Sequence, residues 1–148
     1  MQNEYILHKL KNKIEIKNGK YHYHYLIYKF TRRSQSVSLV DCGNRFNPFL
    51  ISNTAKFEKI KAEELLERIK IIRVFNIFQL KKAVEKALKE NPDVLIVSDI
   101  EVILKDQGIS EKERENAFRS ALSLINRIDI PVFVVGENFM ITNISMDN

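Results

Sequence analysis

The sequence predicts an α/β domain with a mostly parallel central sheet and flanking helices. Three observations predict it. The run Val94-Leu95-Ile96-Val97 is uniformly apolar, as expected of a strand covered on both faces. Segments of strand character alternate along the chain with segments of helical period. A hydrophobic content of 45% with only 4 Gly and 3 Pro describes a packed globular core. At 148 residues the chain fits a single domain over 1–148, and no repeat, low-complexity stretch or Pro/Gly-rich linker divides it.

Met1–Lys13 reads as a short helix or irregular lead-in, and Ile14-Glu15-Ile16 alternates as a strand does before the turn Asn18-Gly19. The next segment, 21–30, supports two readings. Its period of two fits a hairpin partner for Ile14–Ile16, whereas Tyr21, Tyr25 and Tyr28 with Leu26 and Phe30 fit a helix face. Local signals favour the hairpin slightly, whereas chain order favours the helix, because a strand, a helix and the following strand make one crossover unit. That strand, Val37–Val40, runs into Asp41-Cys42-Gly43-Asn44-Arg45, the place past a strand's carboxyl end where α/β proteins bind ligands. Phe49–Lys70 has a helical apolar pattern, and Ile71–Phe75 reads as a strand. Asn76 with Gln79 three residues on, and later Ser110 with Glu113, predict capping boxes at two helix starts. The second helix is expected to reach about Arg127. Pro131–Val135 is the last clear strand before Gly136-Glu137-Asn138 and a tail.

The charge is unevenly placed. Residues 1–33 hold eight Lys or Arg against Glu4 and Glu15, and the rest of the chain is close to neutral, within a total of +5. Such asymmetry points to an acidic or nucleic-acid partner, or to a solvated lysine-rich face. The lone Cys42 cannot form an intrachain disulfide and is expected to be a small buried apolar residue. No run of about 18 apolar residues exists, and the first residues lack the apolar core of a signal peptide. These features predict a cytoplasmic protein with no membrane partner.

Val40-Asp41 followed by Phe46-Asn47-Pro48, Arg73-Val74-Phe75-Asn76, the strand ending at Asp99, and Pro131–Asn138 together resemble the ATPase core of the RecA superfamily, in particular archaeal and eukaryotic recombinases and their paralogues. The resemblance spans roughly residues 13–140 and implies a P-loop NTPase-like three-layer sandwich. It also implies a nucleotide site at Gly19, Lys20, Asp41, Asp99 and Asn138. The chain departs from that pattern in three places. A phosphate loop needs Gly-x-x-x-x-Gly-Lys-[Ser/Thr], so that successive backbone N–H groups surround the phosphates; here Lys17-Asn18-Gly19-Lys20-Tyr21 is too short and ends in Tyr. The family's catalytic carboxylate falls on Gly43 or Asn44, neither of which is a general base. The metal-side acid, Asp99, comes one residue late, after Ser98. The expectation is therefore a non-enzyme without an ATP or Mg cofactor.

Other constellations carry less. On a strand, His22 and His24 would share one face about 6.6 Å apart, a workable metal pair lacking a third His or a Cys. Asp41, Asp99 and Glu101 would form a carboxylate group at strand ends, able in principle to hold Mg²⁺. No Ser stands in a Gly-x-Ser-x-Gly turn. The stretch Lys105–Ser110, which the resemblance places at a DNA-binding loop, is short and acidic. The basic residues Lys11, Lys13, Lys17, Lys20, Lys29, Arg32 and Arg33, with Tyr21 and Tyr23 as stacking rings, form the expected DNA-binding set. The leading expectation is a non-catalytic accessory domain in DNA recombination or repair, with DNA or a recombinase-like protein as partner. The alternatives are a protein-interaction or self-association module without DNA, and an atypical nucleotide-binding ATPase.

Overall fold

The computed structural model describes residues 14–16, 23–105, 108–137 and 139–143. Six strands form one sheet in the order β1-β6-β5-β4-β2-β3. In chain order these are β1 (Ile14–Ile16), β2 (Val37–Asp41), β3 (Ile69–Arg73), β4 (Val94–Ser98), β5 (Val132–Val135) and β6 (Met140–Thr142). The pairs β2/β3, β2/β4 and β4/β5 are parallel, while β5/β6 and β1/β6 are antiparallel. The sheet is therefore mixed: its centre is parallel as expected, and its far edge is not. The tail supplies that correction, because Met140–Thr142 folds back beside β5.

Among the described residues six α-helices flank the sheet: α1 (Tyr23–Arg32), α2 (Pro48–Phe57), α3 (Ala62–Leu66), α4 (Leu80–Lys89), α5 (Ile100–Leu104) and α6 (Glu111–Ile125). On one face α1, α2 and α3 pack through Ile27, Ile51, Ala55 and Leu65 onto Leu39, Ile96 and Phe133. On the other, α4 and α6 pack through Val84, Ala87, Phe118 and Leu122 onto Val40, Leu95 and Val97. Alternate residues of β2 and β4 thus serve opposite layers, which is why β4 is apolar at every position but its last. The single cysteine, Cys42, is buried, and burial pushes its thiol pKa up.

Residues 23–32 are helical. The buried set Tyr23, His24, Ile27, Tyr28 and Thr31 follows a 3.6 period, so one stripe faces the sheet while Tyr25 points to solvent. The competing hairpin reading fails because residues 23–32 are helical, and β1 pairs with β6. Thr31 Oγ1 donates back to the Ile27 carbonyl at 2.7 Å, and Ser34, at φ 64°, turns the chain into β2.

Between β2 and β3 the apolar pattern covers two helices, not one. Lys59 takes φ 61°, and the Ile60 N–H donates to the Ala55 carbonyl at 2.8 Å, which closes α2 in a Schellman-like cap without glycine. β3 begins two residues before the expected Ile71 and ends at Arg73. At Ser110 the serine half of the expected capping box is present, its Oγ accepting from the Glu113 N–H at 3.2 Å. At Asn76 a 3₁₀ turn, Ile77–Gln79, precedes α4; Asn76 Oδ1 accepts from the Gln79 N–H, and Gln79 Oε1 accepts from Phe75 rather than from Asn76 itself. Among the described residues no helix is long and apolar enough to cross a membrane.

Candidate functional site

The parallel strands deliver their carboxyl ends to one edge of the sheet. The register sets Asp41 beside Arg73 on β3 and beside Ser98 on β4. Asp41 has no exposed surface. Its Oδ1 accepts from the N–H groups of Gly43 (3.2 Å) and Arg45 (3.3 Å) and from Ser98 Oγ (3.4 Å). Its Oδ2 accepts from the Phe46 N–H (3.0 Å) and from an Arg73 guanidinium nitrogen (2.8 Å). Five donors therefore saturate one carboxylate, whose lone pairs are all directed inward. Asp41 is the organiser of the loop 42–46, and Arg73 extends the arrangement to Asn44 Oδ1 at 2.7 Å.

Asp99 stands differently. It leaves β4 in the left-handed region, φ 58°, with its N–H donating to the Val135 carbonyl at 2.8 Å. This turn brings the acid that comes one residue late back to the sheet edge, against the Cα of Gly43: a Cβ there would lie 2.8 Å from Asp99 Oδ2. Arg45 approaches Asp99 Oδ1 only at 3.9 Å. Burial raises the Asp99 carboxyl pKa, Arg45 opposes the rise, and the neighbouring Asp41 and Glu137 charges add to it.

Glu101, on the first turn of α5, accepts from the Glu137 N–H at 3.2 Å through Oε2. Burial raises its pKa too, the backbone hydrogen bonds oppose the rise, and Asp99 adds to it. Gly136 makes room for this contact, since a Cβ there would fall 2.2 Å from Glu101 Oε2 and 2.0 Å from the Phe139 ring. Tyr23 completes the edge from the first turn of α1. Burial, followed by the Asp41 and Asp99 charges, pushes its hydroxyl pKa well up.

The residues expected to act separate into three groups. Gly19, Lys20 and Asn138 of the nucleotide set, and Lys11, Lys13, Lys17, Lys20 and Tyr21 of the DNA set, lie outside the described residues, as does His22. Asp41 and Asp99 meet at the carboxyl edge. Lys29, Arg32 and Arg33 are exposed at the C-terminal end of α1, which leads into the start of β2 and so lies at the opposite edge of the sheet. Arg32 is paired there with Glu58 at 3.3 Å, and Glu58 also accepts from the Tyr28 hydroxyl.

Two expectations are corrected. Tyr23 is only 7% exposed, so its ring is not presented to a base. His24 lies on a helix, stacked between Tyr23 and Phe46, and its Nε2 accepts from the Asn47 N–H at 2.8 Å, so the strand-borne pair with His22 does not exist. Among the described residues no group of three or more His, Cys, Asp or Glu side chains is placed to hold a metal ion.

Arg73 and Tyr23 as members of this edge went unseen in the sequence. Arg73 was findable: opposite charges end two adjacent strands. Tyr23 was not, because its position depends on α1 being a helix. No protein-family model matches the chain, and no curated protein matches its sequence.

Proposed function

We propose that this chain is a RecA-like domain that does not turn over ATP and serves DNA recombination or repair as an accessory, binding DNA or docking to a recombinase. The observation that carries the reading is the state of Asp41. The acid that ends β2, just before the Gly43 and Asn44 positions where the resemblance would put a catalytic carboxylate, is saturated by five donors of its own chain. A carboxylate so committed has no lone pair left for a proton in flight. The parallel centre β3-β2-β4-β5, with acids leaving β2 and β4 side by side, supports the family likeness. DNA contact is assigned to the opposite edge, where Lys29, Arg32 and Arg33 continue the basic charge of the first 33 residues.

Fluorescence anisotropy of labelled single- and double-stranded DNA across a salt series tests this. Six phosphate contacts predict a loss of about a thousandfold in affinity between 50 and 200 mM salt. Arg32→Glu with Arg33→Glu should flatten the slope. A slope unchanged by these swaps removes DNA from the reading.

A second reading, a protein-interaction module, draws on the exposed apolar side chains Phe49, Leu50, Phe57, Phe75 and Phe78 and on the edge strand β3 with Ile71. A dimer by sedimentation that is indifferent to DNA favours it. A residual nucleotide site is the remaining reading, and Mg-ATP binding that disappears in Lys20→Ala is the result it requires.

A further inference from the structure

Two carboxyl oxygens at the carboxyl edge, Asp99 Oδ2 and Glu101 Oε1, are buried with no hydrogen-bond partner, while the buried Tyr23 hydroxyl stands beside Ser98. The residues of these two oxygens are 5% and 8% exposed. Folded proteins satisfy nearly all such atoms, and the exceptions call for a specific explanation. Asp99 adds a second departure, a left-handed backbone at φ 58°, of the kind that collects at functional sites. The surroundings are shaped for these carboxyls, since Cβ atoms at Gly43 and Gly136 would run into Asp99 and Glu101.

The chemistry of the set selects its occupant. Two buried carboxyl oxygens offer acceptors, so a ligand must bring donors. Around them stand Asp41, already neutralised by Arg73, the Glu137 carboxyl, the Cys42 thiol, and the cations Arg45 and Lys105. Arg45, its side chain 62% exposed, makes only the loose 3.9 Å approach to Asp99. A directly ligated metal does not fit, because no three ligating side chains converge among the described residues. An ammonium nitrogen carries three N–H donors and a full charge, and needs no fixed coordination polyhedron.

We propose that Asp99 and Glu101 form a binding site for a primary ammonium group, brought by a small amine or by a lysine side chain of a protein partner. The proposal does not rest on the DNA reading. Binding requires both carboxyls ionised, and burial resists that, so amine binding strengthens as pH rises from 5 to 8 and releases protons.

The test is isothermal titration of the full chain with n-butylamine at pH 5 and pH 8, and with a lysine-bearing peptide at pH 8. The proteins are wild type, Asp99→Asn, Glu101→Gln and, as a surface control, Glu115→Gln. Asn accepts a left-handed backbone and Gln is isosteric with Glu; if either variant fails to fold by circular dichroism, the other decides. Expected are saturable amine binding, stronger at pH 8, at least about tenfold weaker in Asp99→Asn and Glu101→Gln, and unchanged in the control. Tighter binding of the peptide with the same dependence on variants assigns a protein as the source, whereas equal or weaker binding assigns a free amine. The proposal falls if n-butylamine shows no saturation to about 20 mM, well above a millimolar Kd. It falls equally if both variants bind like wild type, or if MgCl₂ alone gives a response that Asp99→Asn removes.

Discussion

Replacing Asp41 with Asn separates a structural acid from a catalytic one, because the two roles predict opposite signs for stability. The isostere keeps the shape and loses the charge and half the acceptor capacity. With its amide nitrogen at the Oδ2 position it would face two donors, the Phe46 N–H and Arg73, at the shortest distances in the set, 3.0 and 2.8 Å. The flipped orientation sacrifices the longer contacts from Gly43 and Arg45 and lets the Ser98 hydroxyl turn to accept, so it is the cheaper. Two lost hydrogen bonds at about 1 kcal/mol each, plus the loss of charge from the contact with Arg73 at a further 1 kcal/mol or so, give roughly 3 kcal/mol. For a domain of this size that corresponds to a fall in Tm of about 6–12 °C. Urea unfolding at pH 7 measures it, and the double variant with Arg73→Met should cost less than the sum of the singles, since each single strands the other partner. An acid held for catalysis gives the reverse, a neutral or stabilising substitution. A change in stability below about 1 kcal/mol, or a gain, would refute the assignment of Asp41 as loop organiser.

Asp99→Asn should raise Tm at pH 7. Its folded pKa lies above the unfolded value, so ionisation weakens the fold as pH climbs through that interval; the gain from Asn is full above it and vanishes near pH 3, which thermal melts at both pH values read directly. Lys59→Gly should stabilise by about 0.5–1 kcal/mol, because glycine removes the left-handed penalty at the end of α2 while adding unfolded-state entropy; denaturant midpoints decide. Gly136→Ala should destabilise by about 1–3 kcal/mol, its methyl meeting the Phe139 ring and the Glu101 carboxyl, and an unchanged midpoint would mean that the loop after β5 yields freely.

What the sequence made legible follows from which interactions are local. Val94–Val97 announced a central strand because burial on both faces leaves no polar position, and Ser110 announced a helix start because its partner is three residues away. The split between α2 and α3 was hidden, since the left-handed cap falls on Lys59 where glycine would have signalled it. The edge strand β6 was hidden for another reason. Three residues carry little pattern, and their strand state comes from pairing with β5 and with Ile14–Ile16, more than a hundred residues away in sequence. The segment 21–30 carried two periods at once, and only the sheet selected the one of 3.6 by burying Ile27 and Thr31 completely.

The same division governs the site. Asp41 and Asp99 are the same residue type at the ends of neighbouring parallel strands, and nothing in their letters distinguishes them. Their backbones do. Asp41 continues the extended strand, so the turn that follows folds its own N–H groups over the carboxylate and consumes it. Asp99 departs at φ 58°, sends its N–H to β5, and leaves Oδ2 facing inward without a donor. One acid is thereby spent on holding the edge together and the other is held at a cost to the fold, in burial, in backbone strain and in a missing hydrogen bond. A fold keeps such a cost where binding returns it, so the two acids assign construction to β2 and recognition to the exit of β4. Asp41→Asn losing stability and Asp99→Asn gaining it, in one protein under one set of conditions, is the paired result that this division requires.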